Sequence, residues 1–166
     1  MARVSVVALA LLLAACESGG TGWAAVDHPG ALPASEPFEV SQVTLHGPEG
    51  QAVEVPVYVA DTDAKRARGL QFREDLPAGT GMVFVYPQLH TGPFYMKNTL
   101  IPLSIAFYGP EGSIRRVLDM QPCEADPCEL YNPGVAYTGA LEVNQGFFGE
   151  IGLDPTWTVE PPTTLP

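Results

Sequence analysis

The chain has 166 residues and a mass of 17.7 kDa, enough for one ordinary domain and too little for two catalytic ones. Its 19 acidic residues against 8 basic give a formal charge of -11, which argues against binding nucleic-acid phosphates, since that needs a basic face. A hydrophobic content of 46% can bury a core, while 17 Gly and 17 Pro favour a turn-rich β domain over a helix bundle.

The chain opens with a cationic Met1 to Arg3, an apolar Val4 to Leu13 and the small-residue site Leu13-Ala14-Ala15-Cys16, the three parts of a secretory signal. The apolar run is too short to span a bilayer, which takes about 20 residues. Leu-Ala-Ala-Cys resembles the bacterial lipobox, in which the Cys is acylated and becomes the first mature residue. Cys16 is therefore expected to anchor an exported lipoprotein to a membrane, facing the periplasm or cell exterior. Loss of Arg3 with the signal leaves seven basic residues against 19 acidic, a mature charge of -12. Residues 17–50 read as a tether and lead-in; Glu17 to Pro37, as a flexible coil, would span about 25 Å.

The globular domain is expected over residues 51–160, with a Pro-rich tail at 161–166. Val53 to Val59 alternates with period two, and Pro56 makes it an edge or bulged strand. Asp61 to Arg68 is the best helix, with Thr62 as N-cap and Gly69 as stop. Its Asp61 and Lys65 form a favourable i,i+4 pair, and its charges read as a solvated, self-neutralised face. Further strands are expected at Met82 to Tyr86, Phe94 to Lys97, Leu103 to Tyr108, Ile114 to Leu118 and Ala140 to Val143. Gly109-Pro110-Glu111-Gly112 joins two of these as a hairpin. Asn144 to Leu153 holds a short turn of helix. Together these describe a compact α+β domain that is β-rich, with one or two short helices.

Several constellations could carry chemistry. Cys123 and Cys128, a close pair in an exported protein, read first as a disulfide and second as a thiol or metal-handling pair. The soft ligands Met82, Met96, Met120 and His90 lack metal-binding spacing, so neither a metal nor a cofactor is expected. Arg68 and Arg73 lie beside Gly69-Leu70 and Phe72, where guanidinium forks can brace structure or meet a ligand. In Phe94-Tyr95-Met96-Lys97-Asn98-Thr99, the cation, amide and hydroxyl of Lys97, Asn98 and Thr99 follow two aromatics, as in a pocket for a sugar or small carboxylate. The opposing reading is a turn closed by side-chain hydrogen bonds. Glu142 and Asn144, two apart and so on one strand face, could converge on that cluster. Glu142 and Asp119 could form a glycosidase-like carboxylate pair.

Arg68-Gly69-Leu70 with Phe72-Arg73, Gly81-Met82-Val83-Phe84, Phe94 to Leu103, Pro122-Cys123 with Cys128, and Leu141-Glu142-Val143-Asn144 with Gly146-Phe147 together resemble the domain of unknown function 192 family, from about Val53 to Val159. The resemblance implies a strongly curved, mostly antiparallel sheet or partial barrel, in bacterial and archaeal proteins that are often exported. It implies no reaction and assigns no catalytic residue. Ser104 stands where similar sequences often carry Asp, and Tyr95 where many carry Trp. The reading that follows is a non-catalytic envelope lipoprotein binding a small polar ligand, a glycan or a partner protein through Arg68, Arg73, Tyr95, Lys97, Asn98, Thr99, Glu142 and Asn144. The alternatives are a glycan hydrolase or transferase using Glu142, and thiol or metal handling through Cys123 and Cys128.

Overall fold

A computed structural model describes residues 37–162. The expected signal, the Cys16 anchor, the tether up to residue 36 and the tail from 163 lie outside the described residues. Nine strands and two short helices follow in order: β1 (Glu39–His46), β2 (Ala52–Ala60), α1 (Asp63–Arg68), β3 (Gly81–His90), β4 (Phe94–Tyr95), β5 (Leu103–Tyr108), β6 (Ile114–Met120), β7 (Leu130–Tyr131), β8 (Tyr137–Asn144), α2 (Phe147–Glu150) and β9 (Thr158–Glu160).

Seven strands form one sheet in the order β6-β5-β8-β3-β2-β1-β9, and β4 pairs with β7 in a separate ribbon. All neighbours in the large sheet are antiparallel except β2 and β3, which run parallel because α1 and its flanking loops carry the chain back between them. Its two edges meet at one end: Ser113 bridges to Thr158, and the Val159 amide donates to Gly112 O at 2.8 Å. Gly112 makes the approach possible, for a Cβ there would lie 2.1 Å from Val159 O. The sheet is thus strongly curved and pinned at one end without closing along its length.

Each face buries its own core. Period-two alternation sends Val43, Leu45, Val55, Val57, Val83, Leu141 and Val143 to one face, covered by Phe148 and Trp157. The other face carries Met82, Phe84, Leu103, Ile105, Phe107 and Ala140, covered by Leu70, Phe94, Met96 and Tyr137. β8, central and buried on both sides, therefore reads as a nearly continuous apolar run with Glu142 as its exception.

Three expectations need correction. β1 lies in residues assigned to the lead-in, where Val43 and Leu45 are fully buried, so the folded unit starts before residue 51. β2 is not an edge strand; Pro56 is tolerated because pairing with β3 begins only at the next residue, Val57. Pro162 is buried, so the tail does not begin at 161. The helix expectation holds in detail: Thr62 Oγ1 accepts from the Lys65 amide at 3.2 Å and Gly69 turns the chain out with φ 49°. The hairpin of β5 and β6 and the short helix α2 also stand where expected.

Candidate functional site

Glu142 is placed by register. Its neighbours across the sheet are Met82 on β3 and Ile105 on β5, so its carboxyl rises from the middle of an apolar face. Only 5% of the residue is exposed, and among the described residues none gives it a hydrogen bond or an ion pair. Burial alone pushes its carboxyl from the ordinary 4.5 up to about 8, leaving it largely protonated at neutral pH.

That carboxyl lines a cavity of about 90 Å³ that opens to solvent. Arg66 to Arg68 of α1, Gly69 to Gln71 after it, Phe84 and Tyr86 of β3, Pro93 to Tyr95 and Thr99 form the rest of its wall. Phe84 pairs across the sheet with Ala140, two residues from Glu142 on the same face of β8. Phe94 meets Phe84 edge-on at 5.0 Å between ring centroids, fixing the aromatic wall.

The two arginines are held by their own partners. Arg66 donates to Asp61 O at 2.6 Å, Val85 O at 2.7 Å and Asp63 Oδ1 at 2.5 Å, with its guanidinium 5.0 Å from the Tyr86 ring centroid. Arg68 stacks 3.9 Å from the Phe38 ring centroid. The expected Asp61–Lys65 pair forms at 2.8 Å, and this hydrogen bond is the main cause of a lowered Asp61 pKa. Lys65 itself is buried, which corrects the solvated-face reading.

Thr99 is fixed by strained backbone. Phe72 and Asn98 both adopt positive φ, 62° and 57°, and the Phe72 amide donates to Asn98 O at 2.7 Å. The Asn98 amide donates to Cys123 O at 2.8 Å, and the Cys123 amide to Thr99 O at 3.3 Å. Cys123 is joined to Cys128 in a disulfide with Cα atoms 5.8 Å apart, so the covalent loop clamps the cavity wall at Thr99.

The eight candidate residues divide evenly. Arg68, Tyr95, Thr99 and Glu142 line the cavity, whereas Arg73, Lys97, Asn98 and Asn144 do not. Arg73 stacks 4.1 Å from the Tyr58 ring centroid and donates to its hydroxyl at 3.4 Å. Lys97 pairs with Asp126 of the disulfide loop. Asn98 supplies backbone geometry, and Asn144 donates to Leu76 O at 2.8 Å, tying β8 to the loop before β3. Asp119 does not face Glu142: it pairs with Ser104, which accompanies Val143 on the opposite side of the sheet. Ser104 Oγ donates to Asp119 Oδ1 at 2.5 Å and accepts from the Gly146 amide at 3.1 Å, a structural link from the buried Ser104 to the surface. Sequence reasoning missed Arg66, Phe84 and Tyr86. The alternation Met82, Phe84, Tyr86 was the available signal, but it became informative only with the Met82–Glu142 pairing.

Comparison with known proteins agrees with this architecture. The model of the family described as DUF192, Uncharacterized ACR, matches residues 44–160. The chain belongs to the DUF192 family. No curated protein matches it. Among solved structures, a Sinorhizobium meliloti 1021 protein whose description proposes a transcription regulator is 23% identical, with a TM-score of 0.70, over 76% of this chain and 97% of its own. A protein of unknown function from Novosphingobium aromaticivorans DSM 12444 is 29% identical, with a TM-score of 0.68, over 79% of this chain and 94% of its own. These neighbours bring the DUF192 chain a shared fold and no reaction.

Proposed function

We propose that this chain is an exported envelope lipoprotein, anchored through acylated Cys16, whose folded domain binds a small polar ligand in the Glu142 cavity without converting it. One observation carries the binding reading: a buried carboxyl, without a protein partner among the described residues, lines a cavity open to solvent. With no protein partner, the carboxyl takes its hydrogen bonds from whatever enters the cavity from solution, so a ligand that fits can replace water there and hydrogen-bond to it in a low-dielectric setting.

The cavity is well below the ~300 Å³ at which drug-sized sites begin, which favours a compact ligand over a glycan chain. Glycoside hydrolysis uses two facing carboxylates, and Glu142 is the sole carboxylate among the described lining residues. The charge of -11 speaks against the nucleic-acid contact that a transcription regulator would need. The membrane half of the proposal rests on the lipobox at Cys16.

Thermal unfolding of the purified full chain against a panel of compact anions, cations and neutral polar molecules tests the binding. At least one class should raise the midpoint for the wild type and leave Glu142→Leu unmoved. A panel that shifts neither protein, or both equally, overturns the reading.

A further inference from the structure

The same cavity points to the class of ligand, an inference that rests on the binding reading above. Glu142 is the one acidic residue among the described lining residues, whereas Arg66 and Arg68 stand on the same wall. The described lining thus carries two guanidinium groups against one carboxyl, with the Arg66 charge partly offset by its ion pair with Asp63 at 2.5 Å. This local sign opposes that of a chain with formal charge -11. A cation entering here would pass two guanidinium groups to reach one carboxyl; an anion is drawn by both. Arg66 is held by its hydrogen bonds to Asp61 O, Val85 O and Asp63 Oδ1, so its charge is fixed in place without rearrangement. The other titratable lining groups are Tyr86 of β3 and Tyr95 of β4, with Asp61 and Asp63 behind the wall beside Arg66, while β3 and β5 present Met82 and Ile105 directly beside Glu142. Phe84, Phe94 and Leu70 add apolar wall, suited to a short carbon skeleton.

We propose that the cavity binds a small monocarboxylate, with the Glu142 carboxyl donating its proton in a hydrogen bond to a ligand oxygen, Thr99 also lining the cavity, and the Arg66 and Arg68 charges balancing the anion. No covalent bond forms and no proton is consumed; the carboxyl of the protein and the carboxylate of the ligand share one proton. The volume of about 90 Å³, roughly three times the ~30 Å³ share of a liquid water, fits an acid of about four to six heavy atoms. Neighbouring carboxyl groups that share a proton bind each other only while that proton is present, so affinity has a built-in pH dependence.

Calorimetric titration of the purified full chain with acetate, lactate and methylammonium, at pH 6 and pH 9, decides the matter. Acetate or lactate should bind at pH 6 and weaken about ten-fold by pH 9, as Glu142 loses the proton it donates with a midpoint of about 8. Glu142→Gln, whose amide still donates but does not titrate, should keep anion binding and lose the pH dependence. Thr99→Val should weaken the anion at both pH values and keep the pH dependence, a control that does not involve the buried carboxyl. Methylammonium binding that strengthens toward pH 9 and vanishes in Glu142→Gln would overturn this inference and leave the binding reading intact. If none of the three probes binds the wild type, the monocarboxylate assignment falls, while the broader panel above decides the fate of the site itself.

Discussion

Replacing Glu142 by Gln should remove a pH dependence of stability that is large in the wild type. The carboxyl is raised by burial from 4.5 to about 8, so between these values the folded chain holds a proton that the unfolded chain releases. The sign follows: stability from this group is complete below pH 4.5, falls as pH rises and is fully lost once pH passes 8. At roughly 1.4 kcal/mol per pH unit the whole window is worth about 5 kcal/mol, of which about 3 kcal/mol is gone by pH 7. For a folded unit of this size about 3 kcal/mol corresponds to roughly 10 °C in midpoint. Asp61 and Asp154, whose pKa values are lowered by hydrogen bonds, lose their contributions on the acid side and leave this window to Glu142. Urea unfolding of wild type and Glu142→Gln at pH 5, 6, 7 and 8 measures the effect as the difference between the two proteins, in which other groups cancel. The gap should move in favour of Gln by several kcal/mol from pH 5 to 8. A gap that stays constant would mean that Glu142 titrates alike in folded and unfolded chains, and the desolvated carboxyl would be refuted.

Other consequences are equally open to measurement. Lys97→Ala should leave ligand affinity unchanged and cost under about 1 kcal/mol of stability, because its exposed partner Asp126 lies outside the cavity; loss of binding on calorimetry would contradict the geometry. Reducing the Cys123–Cys128 bridge should lower stability by about 2 kcal/mol and speed amide exchange at Asn98 and Cys123, with the strands β3 and β8 unaffected. Gly112→Ala should destabilise by about 1–3 kcal/mol or more in urea unfolding, since the added Cβ meets Val159 O where the sheet edges join. Cys16→Ser should abolish incorporation of a labelled fatty acid and release the chain from the membrane fraction.

What could be read from sequence was local. The helix α1 was legible because its cap, its acidic first turn and its glycine stop all lie within eight residues, and the hairpin of β5 and β6 because four turn residues separate two apolar runs. Glu142 stood out as a charge inside an apolar run, and the family resemblance drew attention to the same residue. β9 was missed because only its pairing with β1, more than a hundred residues away, makes it a strand, while β1 was absorbed into the lead-in although it pairs along its whole length with the neighbouring β2. The same limit governs the site. Lys97, Asn98 and Thr99 are consecutive, yet only Thr99 faces the cavity, since Asp126 draws Lys97 aside and the positive φ of Asn98 redirects the chain. Arg73 looked like Arg68, but the ring of Tyr58, fifteen residues earlier, captures it. The proposed carboxylate pair failed on pleat: Asp119 opposes Ser104, and one step of register carries it to the face opposite Glu142.

The central claim is that a neutral, buried carboxyl waits in the cavity, and carbon-detected magnetic resonance of the Glu142 side-chain carboxyl in the full chain tests it directly. Titrated from pH 4 to 10, the Glu142 signal should turn over at about 8 and should move when acetate is added at pH 6. A midpoint near the ordinary 4.5, with a signal indifferent to acetate, would contradict the account.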